Sequence, residues 1–207
     1  QAHKVGDPAS SFYVYETTKD EFTGDLKIVD RNNDGVIDGK DRYFYHSPAA
    51  PVTLGANMKF QFYGFDLGFN LRANIGNYVY NEVLAGNLQW VENYYSDQSG
   101  GFHGILRSCY DISRYNPANN GQGITCTGQY FQTDYFVEKA SFLRCDNITL
   151  GYTFSKNPKV NARIYATVSN PFVVSGYRGL DPEVAGGVDN NIYPRCLTSI
   201  VGCSVTF

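Results

Sequence analysis

The chain has 207 residues, with 17 Lys and Arg scattered singly against 20 Asp and Glu for a net charge of −3, so it offers no basic stripe for nucleic acid. No run approaches the roughly 18 consecutive apolar residues of a membrane-spanning helix. With 17 Tyr, 14 Phe and 21 Gly beside only 18% charged residues, the composition favours β structure.

Residues 1–51 read as a loop region. The chain starts at Gln1 without a Met, a charged n-region or an apolar h-region, so either a secretory signal has been removed or the sequence is a fragment. Within this region Asp30, Asn32, Asp34, Asp38 and Asp41 occupy the first, third, fifth, ninth and twelfth places of a calcium-type loop. Gly35 stands at the sharp turn, and Val36 offers its backbone carbonyl. Four carboxylates this close repel one another unless a cation neutralises them. Asp41 replaces the usual bidentate Glu, which alters geometry or affinity, and residues 43–48 hold aromatics and Pro48 in place of a second helix. The expectation is therefore a structural calcium clip; the competing reading is a solvated acidic turn.

From Val52 the chain alternates without error. Leu54, Ala56, Met58, Phe60 and Phe62 share one face, and Thr53, Gly55, Asn57, Lys59 and Gln61 the other. After Tyr63 and Gly64 the pattern resumes through Ile75, so two strands and a very short turn make a hairpin. Similar alternation predicts strands over Asn147–Phe154 and Leu197–Phe207, with a less regular one over Ala162–Phe172. The longer apolar faces run for about ten residues, enough for a tilted strand to cross a bilayer, whereas soluble strands average about five or six. Their polar faces carry Asn, Thr, Gly and Gln, as a lumen wall does. Phe62, Tyr63, Phe65, Tyr152, Phe154 and Phe207 fall at strand ends that a meander places on one side, as an aromatic girdle.

The fold class expected is all-β: an antiparallel up-and-down transmembrane barrel segment with short periplasmic turns and long extracellular loops over 76–140 and 175–195. The expected domain division is 1–51 and 52–207. Five strands cannot close a membrane barrel, whose smallest type has about eight, so a fragment or one chain of a split assembly is expected. The competing architecture is a secreted, calcium-stabilised β-domain that binds glycan or protein, its apolar faces forming a sandwich core.

In the loop 76–140, Val83, Leu84, Leu88 and Val91 are spaced about a turn apart and predict a short helix over Glu82–Tyr95. That helix carries Trp90, Tyr94 and Tyr95. These three are candidate substrate platforms, weighed against ordinary loop packing. Arg72 and Asn70 face the lumen, where they meet either substrate or a plug. Cys109 and Cys126 share one loop and are candidates to pair, while Cys145 and Cys196 start strands separated by a third and lie beyond disulfide reach. Cys203 points outward. His3, His46 and His103 lack paired spacing, and no constellation points to an enzyme. Tyr177–Glu183 and Ala185–Asn191 read as tight external turns.

Several stretches resemble, in the family's order, the C-terminal region of SusC/RagA-family TonB-dependent transporters. They are Gly24-Asp25-Leu26-Lys27 followed by the Asp30–Asp41 loop; Phe65-Asp66-Leu67; Phe136 through Arg144; Asn147-Ile148-Thr149-Leu150-Gly151-Tyr152; Gly179-Leu180-Asp181-Pro182-Glu183; and the ending Val205-Thr206-Phe207. The resemblance implies the last five strands of a barrel of about 22, the large class with a plugged lumen, in the outer membrane of a Gram-negative bacterium. It implies uptake of oligosaccharides or peptides, a SusD-like lipoprotein lid, and coupling to TonB, ExbB and ExbD through a part absent from these residues.

Overall fold

Period-2 alternation over 52–75 produces the hairpin to the residue. The chain is described by a computed structural model at residues 1–19, 26–85, 132–157, 160–190 and 192–206. Among the described residues are twelve strands: β1 Tyr13–Tyr15, β2 Thr17–Lys19, β3 Leu26–Ile28, β4 Arg42–Phe44, β5 Val52–Phe62, β6 Phe65–Ile75, β7 Tyr78–Asn81, β8 Val137–Lys139, β9 Phe142–Asn157, β10 Val160–Ser175, β11 Val188–Asp189 and β12 Thr198–Thr206. No helix among them is long and apolar enough to cross a membrane, which says nothing of a β-barrel.

The chain divides into two units, one of 1–49, 78–138 and 184–192, the other of 50–77, 139–183 and 193–207. The long connections thus join the N-terminal region and form strands of their own.

The second unit is one antiparallel sheet in the order β12-β10-β9-β6-β5, the up-and-down meander expected. β5 and β6 pair without slippage from Val52 opposite Ile75 to Phe62 opposite Phe65. Tyr63 and Gly64 close the hairpin with φ of 46° and 86°, the left-handed pair that matches strand twist in a two-residue turn. The apolar face stays exposed, Phe60 by 55% and Val201 by 78%. Among the described residues of this unit nothing covers that face, so the sandwich core of the competing architecture is not formed there. At the turn end Phe62 packs on Tyr63, Phe65 on Tyr152 and Tyr152 on Phe154, with ring centroids 4.3–4.6 Å apart. Phe207 lies outside the described residues.

Two strands are longer than the alternation predicts. β9 and β10 each run 16 residues rather than the expected 147–154 and 162–172. In β9 a bulge hides the N-terminal extension, and in β10 another falls inside the expected span. Against β6, β9 steps from Asn147 to Cys145 while its partner steps only from Asn70 to Leu71, so Asp146 is the extra residue. Against β9, β10 gains one further residue at Asn170-Pro171, where Asn170 has φ of 52° and Pro171 has no N–H to pair.

The first unit holds smaller sheets: β1 with β4, β2 with β3, and β11-β7-β8. Phe12, Val14 and Val137 form its main core with Tyr43, Tyr45, Tyr78 and Tyr80 against them, and Leu84, Ala85 and Phe136 form a second cluster. The Asp134 carboxylate joins two strands by accepting from the Thr17 N–H and hydroxyl and from the Tyr43 hydroxyl, at 3.1, 2.5 and 2.8 Å. The predicted helix starts at Glu82, capped by the Asn81 side chain, which accepts from the Leu84 N–H at 2.9 Å. Only its first turn, 82–85, falls within the described residues.

Candidate functional site

The polar face of the sheet is organised by two ion-pair systems. Near the hairpin turn, Asp66 on β6 reaches across β9 to Arg163 on β10, accepting from Nε at 2.9 Å and Nη2 at 2.6 Å. The crossing is possible because Gly151 lies beneath it: a Cβ there would stand 2.5 Å from Asp66 Oδ1 and 2.6 Å from Arg163 Nη2. Gly202 on β12 serves Tyr165 in the same way, its absent Cβ making room for the ring 2.4 Å away. The Arg163 guanidinium lies 5.0 Å from the Tyr165 ring centroid. A small cavity of about 220 Å³ opens beside these groups, lined by Asn57, Lys59, Asn70, Asn147, Thr149 and neighbours.

At the other end of the sheet, three arginines meet three carboxylates. Arg72 donates through Nε to Asp146 at 2.8 Å and through Nη1 and Nη2 to Glu183 at 2.5 and 2.8 Å. Arg144, only 3% exposed, pairs with Asp181 at 2.5 Å and lies 3.3 Å from Glu183, which Arg195 also approaches at 3.1 Å. Arg144 reaches this cluster through the Asp146 bulge. An even-numbered residue would otherwise share the apolar face with Ile148 and Leu150, and the one extra residue turns it to the polar side opposite Arg72. Asp181 and Glu183 thereby fasten the Gly179–Glu183 segment to the sheet. Arg72, a candidate substrate contact in the sequence, therefore has both edges of its guanidinium held by carboxylates.

In the first unit the Asp30–Asp41 loop folds on its own backbone. Asp30 accepts from the Asn33 and Gly35 N–H groups at 2.7 and 2.8 Å, Asn32 from Asp34 at 3.0 Å, and Asp34 from Val36 at 2.9 Å. Gly35, with φ of +82°, makes the sharp turn. Asp41 is fully buried and accepts from the N–H groups of Arg31, Asn32 and Asp38. These bonds, the Asp38 N–H first, hold its carboxyl below the ordinary 3.8. Asp38 caps the turn Gly39–Asp41 and lies 3.7 Å from the Lys40 ammonium.

Among the described residues no three acidic, imidazole or thiol groups converge on one point. The donor chemistry nonetheless suits a hard cation, because the Asp30 oxygens and Asp41 Oδ2, each bonded to one backbone N–H, keep a second lone pair, whereas Asp41 Oδ1 already accepts from two. Trp90, Tyr94, Tyr95, Cys109 and Cys126 lie outside the described residues. Among the described residues Cys145 is a buried free thiol, and Cys196 and Cys203 are exposed ones.

A larger cavity, about 480 Å³, lies in the first unit between β1, β4, β7 and β11, with Gln1, Phe12, Tyr13, Val14, Arg42, Tyr80, Glu82, Gln132 and Val188 on its walls. Sequence reading did not find it, because its walls come from six separated stretches.

No family model matches the chain. Over its whole length, however, it is 43% identical to the TonB-dependent receptor SusC of Bacteroides thetaiotaomicron. The chain belongs to the SusC family of TonB-dependent receptors. It covers 20% of that relative, and 89% of it aligns at 26% identity with 19% of a TonB-dependent receptor of Formosa agariphila. The chain thus spans about a fifth of the length of the curated relatives it matches. Two solved structures share the fold: the RagAB peptide transporter, with a TM-score of 0.71 and 23% identity over 95% of this chain and 22% of that one, and the RagAB peptide importer in its open-open state, with a TM-score of 0.66 at 22% identity over the same shares. These relatives are receptors and transporters rather than enzymes, and the five-stranded sheet shares the barrel fold of TonB-dependent receptors.

Proposed function

We propose that the receptor containing this segment imports oligosaccharides or peptides across the outer membrane of a Gram-negative bacterium, without chemical change to the cargo. TonB, with ExbB and ExbD, supplies the energy through parts of the receptor outside these residues, and a SusD-like lipoprotein closes over the external face. One observation carries the reading: strands long enough to cross a bilayer keep an exposed apolar face on one side and Asn, Thr and paired charges on the other, in a chain 43% identical throughout to SusC. Trp90, Tyr94 and Tyr95 are the aromatic surfaces on which cargo would stack. Arg72 meets cargo only where Asp146 or Glu183 releases it.

Uptake of labelled oligosaccharides and peptides by cells with and without the receptor, and with and without TonB, tests this. Uptake that is independent of either gene refutes it.

The loop of the first unit is proposed to hold one structural calcium through Asp30, Asn32, Asp34, Asp38, Asp41 and the Val36 carbonyl. The spacing, the left-handed Gly35 and the in-turned side chains support this reading. The cation would supply charge neutralisation and loop rigidity. Titration of the calcium-stripped receptor with calcium, followed by calorimetry, checks it; no heat of binding in the wild type removes calcium from the account.

A further inference from the structure

We propose that Arg72, Arg144 and Arg195 form a binding site for a carboxylate borne by the cargo, and that the Glu183 side chain fills this site until such a ligand displaces it. The inference rests on the uptake reading for the source of the carboxylate, and deepens it by giving the cargo a charge. Every charged group of the cluster belongs to the second unit, at the end of the sheet opposite the hairpin turn.

The carboxylates of the cluster hold unequal posts. Asp146 accepts from Arg72 Nε with both oxygens, at 2.9 and 2.8 Å, so the guanidinium keeps its plane when Glu183 leaves. The other edge of Arg72, Nη1 and Nη2, fits a carboxylate in two parallel bonds, and this is the edge that Glu183 covers. Asp181 pairs with Arg144 and accepts from the Glu183 N–H at 2.9 Å. The backbone of the 179–183 segment is thereby anchored without the Glu183 side chain. The Asp181 side chain is 8% exposed and that of Glu183 23%, so Glu183 is the carboxylate that water and a ligand can reach.

The occupant fits imperfectly, which marks it as exchangeable. Glu183 Oε2 has Arg72 Nη2 at 2.8 Å, Arg195 Nη2 at 3.1 Å and Arg144 Nε at 3.3 Å. The oxygen offers two lone pairs to these three donors. Arg144 Nε is the one left over: it is buried and forms no hydrogen bond with Glu183 or with any other described group, a costly state for a donor. Once Glu183 swings out, three arginines face two carboxylates, and the surplus positive charge selects an anion. The planar fork of Arg72 and the carboxylate-sized space select a carboxylate among anions. Glu183 competes as a tethered ligand, at an effective concentration of about a millimolar, so cargo of lower affinity is refused.

Calorimetry on the full receptor in detergent tests the assignment with digalacturonate and a capped tripeptide bearing a central glutamate. Maltose and the tripeptide's glutamine counterpart are the neutral comparators. Glu183→Gln, which keeps the shape and removes the charge, binds at least one carboxylate probe at least tenfold more tightly than the wild type and gains nothing for the comparators. Which probe responds tells an acidic glycan from an acidic peptide. Adding Arg72→Met abolishes the gain, and adding Arg72→Lys, which lacks the fork, leaves part of it. Hydrogen exchange over 176–183 is the same in Glu183→Gln and the wild type, because Asp181 still holds the backbone. Equal affinity of the wild type and Glu183→Gln overturns the assignment, as does a gain that survives Arg72→Met. Faster exchange over 176–183 in Glu183→Gln makes Glu183 a structural clamp and overturns it too. TonB-dependent uptake of acidic cargo that is unchanged by Glu183→Gln overturns the exchange site and leaves import standing.

Discussion

Gly151→Ala is the sharpest test of how the polar face is built. The new methyl would stand 2.5 Å from Asp66 Oδ1 and 2.6 Å from Arg163 Nη2, closer than any real contact, so the ion pair must part. Two hydrogen bonds between charged groups are lost, each worth about 1.5–3 kcal/mol when fully formed. The side chains are 13% and 35% exposed, and water screens part of that attraction. Alanine also gains about 0.5–1 kcal/mol over glycine in a strand. The net expectation is a loss of about 1 kcal/mol, measured by guanidinium unfolding of the receptor in detergent. In an Asp66→Ala background the Arg163 side chain can swing away, and the same substitution becomes neutral or stabilising by about 0.5 kcal/mol. Equal costs in both backgrounds would refute the claim that Gly151 exists to let the pair cross.

Three further outcomes are expected. Arg144→Met leaves the Asp181 carboxylate buried without its cation and costs about 3–5 kcal/mol, read as a lower melting temperature; adding Asp181→Asn recovers part of it. Gly35→Ala meets nothing within 4 Å, so its cost of about 1–2 kcal/mol is purely that of a left-handed backbone, whereas Gly39→Ala, in open space without a positive φ, is near neutral in the same thermal melt. Burial holds the His46 imidazole, stacked on Tyr78 with centroids 3.6 Å apart, below its ordinary 6.5. The unfolded chain therefore takes the proton first as pH falls through 6.5, and stability, full above that value, declines until the folded imidazole protonates too. His46→Phe flattens that decline in thermal melts collected from pH 7.5 to 5.

The hairpin, the meander and the aromatic end were legible because alternation is a local signal. β5 and β6 keep one register from Val52 to Ile75, and nothing interrupts the count. β9 was cut short because a bulge at Asp146 breaks alternation just where the strand continues, and β10 read as irregular because its bulge at Asn170-Pro171 interrupts the count. The ion pairs were not legible at all: Asp66 and Arg163 are 97 positions apart, and only strand order brings them together over Gly151. The calcium-type spacing shows plainly in the chain, but spacing does not say that Asp38 would cap its own turn. The cavity around Arg42 had no signal, since β1, β4, β7 and β11 supply its walls from distant stretches.

The bulge at Asp146 acts on this strand as a change of reading frame. Residues on its two sides are counted in opposite phase, so deleting Asp146 would do more than take one carboxylate from Arg72: it would carry Arg144 from Asp181 and Glu183 to the apolar face. Substitutions at this position test chemistry, but its length is what the receptor cannot vary: relatives that keep both Arg144 and the alternating run after Asn147 must keep the spacing between them.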